Sequence, residues 1–274
     1  MGRGTHLRGS GVLLVCGLLL GGCSGGDTDG RGAPRPATST APSAGDDAPP
    51  VAGESPAEAA DPARSPRTAE EARALVRSVI ADEQTVGNGA RRGTPYESDP
   101  ATWAVLGEDR GWRREPLPAD VLADLRRDFE VPGGGDVHGL RLTAEVTVHR
   151  TALDAAWEQA RMMEEAMACP RQIPRAGEEL SDLTSGAYVR GEGCNAFSDD
   201  WLIENGRCDS DTSGGPYPYA WMQATFGPVV VSASYCGGSE ETKEAAAEIV
   251  REYFTQMLRG VKARIGRPAP GEGT

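Results

Sequence analysis

The chain has 274 residues, with 28 Lys and Arg against 41 Asp and Glu, a formal charge of −13. Phosphate binding needs a basic surface, so this balance excludes a nucleic-acid partner. Only 38% of residues are apolar and 5% aromatic, while 36 Gly and 20 Pro interrupt the chain. That mixture excludes one compact domain running end to end and fits a smaller folded unit with a disordered segment attached.

Residues 1–22 read as a signal peptide. Arg3 and Arg8 form a positive start, and Gly11 to Gly22 is an uncharged, mostly apolar run that holds Cys16. The run is shorter than the roughly 20 apolar residues a spanning helix needs. It ends in Leu20-Gly21-Gly22-Cys23, which resembles the bacterial lipobox, where small residues precede a Cys that is lipidated before cleavage. Diacylation at Cys23 supplies two acyl chains, about what stable anchoring takes. The expected location is the outer face of the cytoplasmic membrane, where the chain is expected to be held as a palmitate-bearing lipoprotein. Of the 28 basic residues only Lys243 and Lys262 are Lys, a GC-rich bias that points to an actinobacterial source.

Residues 23–66 form the lipidated Cys and a disordered linker. From Ser24 to Pro66 the single large apolar residue is Val51, too little to offset ordering entropy. A flexible chain of this length reaches about 35 Å. Residues 67–266 are the folded extracellular unit, and residues 267–274 form a frayed tail.

Thr68 opens the first helix with a capping box to Glu71, and Ala72, Leu75, Val76, Val79 and Ile80 follow at helical spacing. Residues 84–116 carry Trp103 and Trp112 but no assignable pattern. Pro118 is read as opening a second helix with Val121, Leu122, Leu125 and Phe129 on one face. Leu140 to His149 alternates cleanly and predicts a half-buried strand whose polar face carries Arg141, Thr143, Glu145, Thr147 and His149. Thr151 caps a helix with Leu153, Ala156, Trp157, Ala160, Met163 and Met167 as its expected buried stripe, ended by Cys169-Pro170. Tyr217 to Phe226 and Val229 to Cys236 read as strands joined around Gly227-Pro228. Ser239 is the expected cap of a closing helix striped by Ala246, Ile249, Val250, Tyr253, Met257, Val261 and Ile265. The resulting fold class is α+β, an antiparallel sheet packed by helices.

Cys169, Cys194, Cys208 and Cys236 remain after Cys16 and Cys23 are assigned, and an even number in an exported chain implies two disulfides. Of three possible pairings the nested one is favoured, Cys169–Cys236 with Cys194–Cys208. Each bridge would contribute about 3–4 kcal/mol by the loop-entropy model. Four-thiolate zinc is disfavoured, because no C-x-x-C pair exists.

One resemblance emerges from this order: a strand, an Ala- and Trp-bearing helix ending at Cys169, then Cys194, Cys208 and the run Val229 to Gly237, then a long helix. It resembles the PknH-type extracellular sensor domain and related actinobacterial lipoproteins over residues 137–265. The resemblance implies an α+β domain with two disulfides and a surface cleft for a small ligand. No kinase domain accompanies it here.

Catalytic signatures are sparse. After signal removal only His138 and His149 remain, and no G-x-S-x-G, H-E-x-x-H or Walker loop occurs. Asp209, Asp211 and Ser213 resemble the front of a calcium loop, but the twelfth position is Ala220; Asp199 and Asp200 lie nearby in sequence. Tyr217, Tyr219 and Trp221 fall on one strand face and, with Trp201, are the candidate ligand-binding aromatics. No cofactor is expected. The favoured function is a non-catalytic binding or sensing module for a small molecule or wall component. The alternatives are a lipoprotein holding a protein partner at the cell surface and a hydrolase.

Overall fold

Among the described residues the chain forms four helices, an eight-stranded antiparallel sheet and a separate two-stranded hairpin. The computed structural model describes residues 59–133, 139–190, 195 and 198–268, all inside one unit, Ala52–Thr274. In chain order the elements are α1 (Ala69–Val79), α2 (Glu83–Val86), β1 (Arg91–Glu97), β2 (Thr102–Leu106), β3 (Trp112–Pro116), β4 (Val121–Val131) and β5 (Leu140–His149). There follow α3 (Ala152–Ala168), β6 (Gln172–Arg175), β7 (Glu178–Val189), β8 (Asp200–Ser210), β9 (Gly214–Phe226), β10 (Val229–Gly237) and α4 (Lys243–Ile265). The sheet order is β1-β4-β5-β10-β9-β8-β7-β6, with β2 and β3 paired apart from it.

One face of the sheet is the apolar core. Val146 on β5, Val231 on β10 and Ala224 on β9 lie in one cross-strand row, and Leu142, Tyr235 and Ala220 in another. Ala72, Val76 and Val79 of α1 and Val250, Tyr253, Met257 and Val261 of α4 close over this face. Each such side chain contributes roughly 1.5–3 kcal/mol by leaving water. The Tyr253 hydroxyl is satisfied inside the core, donating to the Thr143 carbonyl at 2.7 Å. α1 starts where its capping box predicts: Glu71 N–H donates to Thr68 Oγ1, and Glu71 accepts from Thr68 N–H.

The opposite face is polar and equally covered. Its cover is α3 together with the β2–β3 hairpin. This explains three departures from the sequence reading. The segment after Pro118 is the strand β4, not a helix. Ala123, Leu125 and Phe129 share the core face, while Asp124, Arg126 and Asp128 occupy the polar face, so the period is 2; a bulge at the start of the strand puts Leu122 in the core and leaves Val121 opposite His149. The apolar stripe of α3 points outward: Trp157 is 66% and Met167 75% exposed, and Leu153 is exposed with them. Its buried side is Ala155, Glu158, Gln159 and Ala166, because the sheet beneath it is polar. The polar residues of β5 are not solvated; His149 and Thr147 are buried.

Residues 84–116 hold α2 and the first three strands. The span between Cys169 and Tyr217 adds β6, β7 and β8 to the sheet edge. The last helix is capped at Thr242, whose side chain bonds the Ser239 N–H at 2.7 Å, so Ser239 lies one turn upstream of its assigned place. The folded unit also takes in the end of the segment read as linker: Ala60 bridges to Gly266, and Asp61 N–H donates to Ile265.

The disulfide is Cys208–Cys236, with Cα atoms 6.0 Å apart, which overturns the nested pairing. That pairing treated residues 194–208 as a loop. Cys208 instead sits on β8, and β8 and β10 are the two strands flanking β9. Cys169 is a free thiol whose Sγ donates to the Arg171 carbonyl at 3.0 Å. Among the described residues one disulfide is found, not two. Cys23, His138, Cys194, the signal segment and most of the linker lie outside the described residues.

Candidate ligand-binding cleft

The polar face has its shape from the sizes of its side chains. In one cross-strand row Gln223 on β9 stands opposite Ser232 on β10, Ser232 opposite Glu145 on β5, and Glu145 opposite Arg126 on β4. The next row runs Glu204, Trp221, Ser234, Thr143 and Asp128, from β8 to β4. The small residues Ser232 and Ser234 therefore fall on the central strand, between longer side chains on both sides. The result is a trough across the sheet with a cavity of about 110 Å³. That is small beside the roughly 300–1,000 Å³ of drug-sized pockets, and it suits a ligand of few heavy atoms.

The hairpin and α3 roof the trough. Arg114 on β3 ties the hairpin down. Its Nη2 donates to the Thr102 carbonyl at 2.6 Å and to Asp124, and its Nη1 donates to Glu145 at 3.2 Å. Burial works against the charge of this guanidinium, but Glu145 and Asp124 outweigh it and raise its pKa. Arg161 of α3 stacks over Trp103 of β2 at 4.3 Å. Trp112 of β3 donates to Gln172 at 2.7 Å.

One end of the trough is a lattice of ion pairs. Arg126 donates to Asp128 at 2.8 Å, Arg175 reaches the same carboxylate at 3.4 Å, and Arg141 donates to Glu178. Arg175 Nε also lies 2.9 Å from Glu178 Oε2, an ion pair that is misaligned for a hydrogen bond. Burial alone would lower the Arg126 pKa; the adjacent Asp128 more than reverses this. Burial and the neighbouring Arg175 lower the pKa of Arg141, and burial raises that of Glu178.

The other end is different. His149 Nε2 meets Glu158 Oε2 at 2.5 Å, and Glu158 Oε1 accepts from Gln223 Nε2 at 3.0 Å. A carboxylate only accepts, so the Gln223 nitrogen must face it and the amide oxygen must point away. That Gln223 Oε1 is buried with no donor. Beside it Glu204, 4% exposed, faces no basic group among the described residues, where its one hydrogen bond is a 3.4 Å contact with Ser185 Oγ. Burial, with the Glu165 charge adding, pushes its carboxyl up to about 7.

Of the aromatic residues singled out from the sequence, Tyr219 and Trp221 line the trough. Tyr217 does not; its hydroxyl donates to the Ser213 carbonyl at 2.8 Å near the β8–β9 turn. Trp201 is an odd number of residues from Glu204 on the same strand, so it occupies the core face. Asp209, Asp211 and Ser213 sit around a tight hairpin turn in which Ser210 Oγ accepts from the Thr212 and Ser213 N–H groups. Among the described residues no three His, Cys, Asp or Glu side chains converge on a metal position. Asp199 is engaged by Arg190 at 2.7 Å and by the Gly227 N–H at 2.7 Å.

The sequence reading missed Arg126, Glu158, Glu204 and Gln223. The alternation of β5, with Arg141 and Glu145 on one face, was the available signal. It was taken as a solvated face.

No family model matches the chain, and no curated protein matches it. The chain is similar in fold to a solved structure, the extracellular domain of PknH from Mycobacterium tuberculosis. The two are 13% identical, with a TM-score of 0.40, over 72% of this chain and 99% of that one. No helix of the described residues is long and apolar enough to cross a membrane.

Proposed function

We propose that this chain is an exported lipoprotein, anchored through Cys23, whose folded unit captures a small polar molecule in the trough beneath α3 without transforming it. One observation carries the reading. The floor of the trough holds a buried polar group, Gln223 Oε1, that nothing among the described residues satisfies. Leaving such a group unpaired costs about 1–3 kcal/mol, a cost that a bound partner removes. The small volume and the roof of Trp103 and Trp112 fit enclosure of a compact ligand.

A non-catalytic role is favoured over a hydrolase because His149 is committed to Glu158 and bonds no serine.

A second reading, a lipoprotein that holds a protein partner, draws on the outward stripe of Leu153, Trp157 and Met167. Native mass spectrometry of protein purified from its own membrane separates the two. We expect an added small-molecule mass that vanishes in Ser232→Leu, where a larger side chain fills the floor. A bare chain mass in both proteins overturns the capture reading.

A further inference from the structure

The geometry points to the class of that molecule: we propose that the Glu204–Gln223 end of the trough binds a small primary ammonium ion. The inference rests on the capture reading above and narrows it.

The argument is one of donors and acceptors. Gln223 is 1% exposed, its orientation is dictated by Glu158, and its remaining oxygen can only accept. Glu204 is also buried and lacks a basic partner, although every other carboxylate lining the trough has one: Asp124 and Glu145 pair with Arg114, Glu158 with His149, and Glu178 with Arg141. Glu165 of α3, itself paired with Arg161 at 2.8 Å, adds negative potential at Glu204. This end of the trough therefore presents unfilled acceptors and an unbalanced negative charge.

A neutral hydroxyl satisfies the acceptors and leaves the charge. A quaternary ammonium satisfies the charge and leaves the acceptors. A primary ammonium does both, with three N–H donors on one cation. Trp221, directly across from Glu204 in the sheet, lines the same space and offers an aromatic wall to such a cation. A metal ion is the poorer fit, since no three ligating side chains converge among the described residues.

The groups that face Glu204 are Ser185 on β7, Glu165 on α3, and Tyr219 and Trp221 on β9. Burial raises the pKa of the Tyr219 phenol, on which Glu204 and Arg126 then act in opposite directions.

The test is calorimetric titration of the mature chain at pH 8 with three probes of similar size: ethanolamine, ethylene glycol and choline. Ethanolamine should bind at least tenfold more tightly than either other probe. Glu204→Gln, checked for an unchanged fold by its circular dichroism spectrum, should lose at least tenfold for ethanolamine and leave ethylene glycol unchanged. Trp221→Phe, which keeps an aromatic wall, should retain ethanolamine binding. Equal binding of ethanolamine and ethylene glycol, or full ethanolamine affinity in Glu204→Gln, overturns the ammonium assignment. Absence of ethanolamine binding at millimolar concentration also overturns it. In each of those cases a small-molecule mass found on membrane-purified protein would leave the capture reading standing, so the two fail separately.

Discussion

Gln223 on β9 and Glu158 on α3 are joined by a 3.0 Å hydrogen bond across the gap between the sheet and the helix that covers it. The same carboxylate holds His149 on β5. A single acid therefore ties three elements together and sets the direction in which the Gln223 oxygen faces the trough. Glu158→Ala should strand two buried polar side chains and destabilise the fold by about 2–4 kcal/mol, read from urea denaturation. Glu158→Gln, which retains both reach and an acceptor, should recover part of that loss.

Glu204 makes stability depend on pH in an unusual direction. Its carboxyl rises from an ordinary 4.5 to about 7 through burial, with Glu165 adding to it. The folded state therefore holds a proton that the unfolded state releases. The stability of this site is complete below pH 4.5 and is lost as pH climbs through 7, by roughly 3 kcal/mol in all. Glu204→Gln should remove the dependence: it should stabilise the protein at pH 8 and change little at pH 4. Melting temperatures of both proteins across that range check this.

A non-reducing peptide map should join Cys208 to Cys236. Replacing both with Ser should cost about 3 kcal/mol, because the bridge closes a loop of 28 residues. A map that joins Cys169 to Cys236 would contradict the structure.

Cys23→Ala should abolish labelling by a fatty-acid probe and release the protein from membranes. Retention on membranes in that variant would contradict the anchor.

Much of the core face was legible. The capping box at Thr68 and the helix cap at Thr151 sit where the sequence places them, and Asp154 completes a second box at Thr151. The β9–β10 hairpin and the stripe of α4 follow from apolar periodicity. The trough was not legible, and one physical cause accounts for most of the misses. Periodicity reasoning assumes that a polar face meets water. Here Asp124, Arg126, Arg141, Glu145 and Glu158 are charged residues covered by protein and paired with Arg114, Asp128, Glu178 and His149. With that assumption inverted, β4 looks like a helix, the buried side of α3 looks exposed, and the exposed Trp157 looks buried. Tyr219 and Trp221 were found because strand alternation holds locally, whereas Glu204 joins them only through the long-range pairing of β8 with β9.

The most direct measurement is a crystal structure of the protein purified from its native membrane without refolding. The account predicts non-protein density in the trough above Ser232 and Ser234, within hydrogen-bond distance of Gln223 Oε1 and Glu204. Density there for water alone, with Trp221 and Arg126 closed over the floor, would contradict it.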